Sequence, residues 1–108
     1  MKSLTGIDVN KLSLFEVGQV VYHSRFNYRG VIFEIDPFFL LSEQWYQDVA
    51  KSCPPKDEPW YHVLVDGSEQ TSYVAQQHLC SITHPEQIEH PLLGRFFKAF
   101  IDGRYQLK

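Results

Sequence analysis

The run Trp60-Tyr61-His62-Val63-Leu64-Val65-Asp66-Gly67 constrains this chain more than any other segment. It is rich in aromatic and β-branched side chains, too short for a core helix, and ends on an Asp-Gly pair. That glycine supplies the positive φ a turn needs, and Thr71-Ser72-Tyr73-Val74-Ala75 reads as the returning strand. Two earlier runs, Gln19 to His23 and Gly30 to Asp36, have the same character. Residues Ser24 to Arg29 join them, a length suited to a hairpin with an exposed tip. His78 to Ile82 is the fifth candidate strand. Five short strands at this spacing predict a mainly all-β fold, a small barrel that removes sheet edges by closing on itself.

Two segments break the β rhythm. Residues 37–59 form an excursion bounded by Pro37 and by Pro54-Pro55 and Pro59, in which Ser42 to Lys51 predicts a short helix with Ser42 as N-cap. Phe38, Phe39, Leu40, Leu41, Trp45 and Tyr46 make this excursion too apolar for a free loop, so it should fold back onto the barrel. Near the end, Leu92, Leu93, Phe96, Phe97 and Phe100 recur at helical spacing between Pro91 and Gly103, which predicts a C-terminal helix. That stripe would pack on the barrel or against a second subunit, and a homo-oligomer would account for an aromatic content of 15%. The expected organisation is an extension over 1–14, a barrel over 15–84 that includes the excursion 37–59, and a helical segment over 85–108.

Charge is unevenly spread. The 108 residues carry a net −3, which excludes a generally basic coat for nucleic acid but not a local patch. Residues 31–70 hold eight acids against two lysines, whereas 1–30 hold four basic side chains against two acids. The two cysteines, Cys53 and Cys80, make no disulfide framework and match no zinc spacing. No signal peptide and no run approaching a membrane span is visible, so a cytoplasmic, membrane-free protein is expected.

Candidate contact residues cluster at the hairpin tip. Arg25 and Arg29 could hold phosphates in bidentate fashion while Phe26 or Tyr28 stacks on a base or sugar. The same residues could equally pair with the acidic middle and pack inward. Trp60, Tyr61 and His62 are neighbours on one strand and cannot all face one core. One large aromatic should therefore lie near a surface as a platform for a peptide or base, unless the excursion or the C-terminal segment covers that face. Glu34 and Asp36, two apart, read as the solvated side of a half-buried strand. The five histidines show no metal-ligand spacing, and there is no phosphate loop, dinucleotide turn or nucleophile elbow. No enzymatic activity, cofactor or metal is expected.

The strings Gly18-Gln19-Val20-Val21-Tyr22-His23, Tyr28-Arg29-Gly30-Val31-Ile32, Ile35-Asp36-Pro37 and Pro59 to Gly67, followed by Tyr73-Val74-Ala75 and Leu79, resemble the HspQ/YccV-like family, also called the hemimethylated-DNA-binding domain. The resemblance implies a small SH3-like β-barrel without catalysis. It implies binding to double-stranded, hemimethylated DNA, and also a heat-shock role tied to regulated proteolysis, since the same domain occurs fused to F-box proteins. DNA binding through Arg25, Tyr28 and Arg29, with Arg95 and Lys98 as further phosphate contacts, is the expected function. The alternative is a stress-related adaptor using Trp60, Tyr61 and His62 to bind an ATP-dependent protease or its clients.

Overall fold

The computed structural model describes residues 12–108, so most of the expected extension over 1–14 lies outside the described residues. The chain runs β1 (Val20–His23), β2 (Tyr28–Asp36), α1 (Glu43–Val49), β3 (Trp60–Val65), β4 (Thr71–Ala75), β5 (Leu79–Ser81), α2 (Leu93–Phe96), β6 (Phe97–Ile101) and β7 (Arg104–Leu107). The first five strands form one antiparallel sheet in the order β4-β3-β2-β1-β5, and β6 and β7 form a separate hairpin. All five expected strands are present, with ends shifted by at most two residues.

β4 and β5 are the two edges of this sheet, yet only a 3-10 turn, Gln76–His78, separates them in the chain. The edges of a flat five-stranded sheet would stand roughly 19 Å apart. Four residue steps reach at most about 14 Å. The sheet must therefore curl. It does not close: β5 is three residues long and pairs with β1, and no ladder joins it to β4 among the described residues. The closed barrel expected from strand count is thus corrected to a curled, open sheet whose β4 edge is left without a partner strand.

Both faces of the sheet are covered. Phe15, Val21, Ile32, Tyr61, Val63, Val74 and Leu79 fill the concave side, and Val20, Val31, Leu64, Ile88, Phe97 and Tyr105 make a second core on the other. This is why Val20-Val21, Val31-Ile32 and Val63-Leu64 are apolar at consecutive positions: each pair sends one side chain to each core. Gly30 lets β2 and β3 approach, since a Cβ there would lie 2.4 Å from Val63 Cγ1 and 2.5 Å from the Leu64 carbonyl oxygen.

The second core is closed by the C-terminal segment, in a form that corrects the expected long helix. Only Leu93–Phe96 is helical; the chain then turns back as the β6–β7 hairpin. Asp102 (φ 52°) and Gly103 (φ 79°) both adopt the left-handed region that a two-residue hairpin loop demands. Gly103 therefore turns a hairpin instead of ending a helix. The apolar stripe packs within the molecule all the same, with Phe97 in the second core, Phe96 stacked on Phe33 at 4.8 Å and Phe100 against Tyr105 at 4.7 Å.

The excursion folds onto the sheet through Phe39, Trp45 and Tyr46, whereas Phe38, Leu40 and Leu41 stay exposed. Ser42 caps α1 by accepting the Trp45 N–H at 3.1 Å, but seven residues with none buried cannot hold a helix in isolation. Its anchor is a ring cluster in which Phe39, Trp45, Tyr46 and Tyr73 surround Trp60, whose indole N–H reaches the Pro55 carbonyl at 3.0 Å. Among the described residues no helix is long and apolar enough to cross a membrane.

Candidate functional site

The β1–β2 loop is four residues, Ser24 to Asn27, and is exposed throughout. It is organised by His23, whose Nδ1 accepts the backbone N–H groups of Arg25 (3.2 Å) and Phe26 (3.1 Å) while its ring stacks on Phe26 and His78. An imidazole that accepts through Nδ1 must be neutral there. Burial, and then the nearby His78 and Arg25, push its pKa down to about 4. Burial also lowers His78, with Arg25 as a further cause.

This shorter loop redistributes the expected contact residues. The register pairs His23 with Tyr28 and Tyr22 with Arg29, so both Tyr28 and Arg29 belong to β2 and not to the tip. Alternation then sends Tyr28 against the concave core, with its hydroxyl 2.6 Å from Ser72 Oγ. Arg29 points to the opposite face, where it donates to Asp66 Oδ2 (2.7 Å) and to the carbonyls of Glu86 and Gln87. Of the tip pair, only Arg25 stays exposed, its guanidinium 5.8 Å over the ring of Phe26, which is itself 66% exposed. Arg95 and Lys98 are exposed on α2 and β6, and no hydrogen bond or ion pair joins them to the tip among the described residues.

Trp60 and Tyr61 are both buried, at 1% and 0% exposure, so neither is a surface platform; the excursion covers the outer face, as the alternative reading had it. They do face opposite ways. Tyr61 enters the concave core and donates to Gln76 Oε1, while Trp60 goes under the excursion. Alternation holds, but neither face is open. His62 is the half-buried member of the three, and it donates through Nε2 to Asp36 at 3.1 Å. Asp36, expected at the solvated side, is buried; it also accepts from the Tyr73 hydroxyl at 2.6 Å, and that hydroxyl accepts the Leu40 N–H. The network ties the start of the excursion to the sheet. Glu34, Asp36 and His62 bring one potential metal-ligand atom each within 4.8 Å, an arrangement created by strand pairing and invisible as sequence spacing. The contacts just described occupy Asp36 and His62, and three ligands fall short of a closed structural site.

The main concavity lies along the unpaired edge of β4. A groove of about 580 Å³ runs between the hairpin tip, α1 and β4, with Phe26, Trp45, Val49 and Tyr73 in its walls. It continues past Ala75 to a smaller hollow flanked by Arg25 and Lys51. Among the described residues no carboxylate lines either part. Sequence reasoning missed Trp45, Val49, Lys51 and Tyr73 as site residues; the apolar character of the excursion was the visible signal for Trp45 and Val49, and Lys51 and Tyr73 carried none.

Residues 13–104 match the family described as hemimethylated DNA-binding protein, YccV-like. The chain belongs to this family. The YccV-like match takes in α2, β6 and the β6–β7 turn and ends at the first residue of β7. Among known proteins, this YccV-like chain is similar to "F-box only protein 21" of Mus musculus, 34% identical over 94 residues, and to that of Homo sapiens, 33% identical over 94 residues. The matched stretch is 84% of this chain and 15% of each relative's length.

Proposed function

We propose that this YccV-like chain is a non-enzymatic DNA-binding protein of the hemimethylated-DNA type, working in the cytoplasm. The observation that carries the reading is the family match over residues 13–104. Exposed Arg25 beside exposed Phe26 supports it, because a guanidinium without a carboxylate partner among the described residues can grip a phosphate while the ring stacks on sugar or base. Arg95 and Lys98 add exposed cations. Tyr28 and Arg29 serve from behind, by setting the position of the tip. Three cations predict a shallow dependence on salt, a slope of roughly −3 in log K against log salt. Fluorescence anisotropy on unmethylated, hemimethylated and fully methylated duplexes across a salt series tests this. Tightest binding to the hemimethylated form, lost in Arg25→Ala, supports the reading; no binding at low salt to any duplex removes it.

A second reading, a protein-binding adaptor in regulated proteolysis, is favoured by the apolar groove along β4 and by the F-box relatives. Its test is the rate at which a purified ATP-dependent protease degrades a substrate protein with and without the chain. An unchanged rate counts against it.

A further inference from the structure

We propose that the groove along β4 is a strand-addition site: an extended peptide segment, apolar at alternating positions and preceded by acidic residues, pairs with the β4 edge. The inference rests on the adaptor reading and names the chemistry of its ligand.

The first observation is the backbone. Gln70 accepts the Val65 N–H at 3.0 Å and Gln76 donates to Pro59 at 3.2 Å, at the two ends of the β3–β4 ladder. Hydrogen-bonded and non-bonded pairs alternate between these ends. Ser72 and Val74 therefore turn their amides toward β3, while Thr71 and Tyr73 turn theirs outward. Neither residue has a backbone hydrogen bond on that side among the described residues. An edge strand with a free row of donors and acceptors is the template used in β-augmentation.

The second observation is what stands beside that row. Phe26, Trp45, Val49 and Leu41 line the groove beside that edge, so a strand laid there meets apolar surface with the face that carries its alternating apolar residues. Phe26 is 66% and Val49 54% exposed, well beyond what their hydrophobicity favours. The third observation is charge. In a chain of net −3, the hollow at the Ala75 end holds Arg25 and Lys51 and, among the described residues, no acid. Every ladder among the described residues is antiparallel, and an antiparallel partner would begin at the Ala75 end. Its acidic residues would then precede its apolar ones.

The test uses the full chain and a synthetic peptide, acetyl-Asp-Glu-Val-Ser-Leu-Thr-Val-amide, followed by backbone NMR. On binding, the Thr71 and Tyr73 amides should shift and become slow to exchange. Val49→Glu, which places a charge on an exposed apolar wall, and Thr71→Pro, which deletes one outward N–H, should each weaken binding about tenfold. A peptide with Lys in place of both acids, and one N-methylated at alternate residues, should bind as weakly. Equal affinity for the N-methylated peptide would overturn strand pairing, as would Thr71 and Tyr73 amides already protected before peptide is added. Absent binding, while the chain still alters protease rates, would overturn the groove and leave the adaptor reading standing. Binding at β4 without any protease effect would support the groove and end that reading.

Discussion

His23 shows how one side chain couples the hairpin tip to solution conditions. Its Nδ1 holds two backbone N–H groups of the tip, and its ring lies beside His78 and Arg25. A proton there would displace both hydrogen bonds and place a cation beside Arg25. Because the folded-state pKa is about 4 against an ordinary 6.5, the unfolded chain binds the proton more readily. The contribution of neutral His23 is therefore complete above pH 6.5, declines as pH falls below it, and is gone below about pH 4. His78 acts in the same direction. Urea midpoints measured from pH 7 to pH 4 should fall, and fall less steeply in His23→Gln. An equal slope in the variant would show that the acid sensitivity arises elsewhere.

The two short elements near the C-terminus separate what a glycine does in a turn from what it does in a helix. A Cβ at Gly103 would sit 2.9 Å from Pro85 Cγ in a backbone of φ 79°, whereas nothing lies within 4 Å of a Cβ at Gly94. Gly103→Ala should cost about 1–2 kcal/mol through the left-handed conformation alone. Gly94→Ala should be neutral or stabilise by up to about 1 kcal/mol. Thermal unfolding of the two variants checks the pair; equal losses would place Gly103 outside a strained turn. The Asp102-Gly103 dipeptide was a legible hairpin signal of the same kind as Asp66-Gly67. The phenylalanine spacing masked it, because residues at helical spacing can also pack from a short helix followed by a strand. By contrast, Ser42 and the helix it caps were legible, since a capping bond spans only three residues.

At the scale of the molecule, long-range pairing decides which cations are free. Arg29 links β2 to Asp66 and to the carbonyls of Glu86 and Gln87, and so fastens the segment that precedes α2. Arg29→Ala should lower stability by about 1–2 kcal/mol, since three acceptors lose their donor. Arg25→Ala, at an exposed tip, should change stability by less than about 0.5 kcal/mol. Chemical denaturation distinguishes the two, and equal losses would contradict the division of labour drawn between tip and strand. Over residues 19–82 the sequence alone determined where the chain extends, where it turns and where α1 begins, because propensity, alternation and capping act over a few residues; over 92–107 it did not. It also carried the family resemblance, in the blocks around Tyr22, Gly30 and Trp60. Only the tertiary structure decided that Trp60 and Tyr61 are both buried, that Asp36 is spent on His62 and Tyr73, and that β4 keeps an open edge. Alternation fixes which side chains share a face; whether that face is covered depends on segments tens of residues away, whose apolar character shows that they dock but not which strand residues they cover.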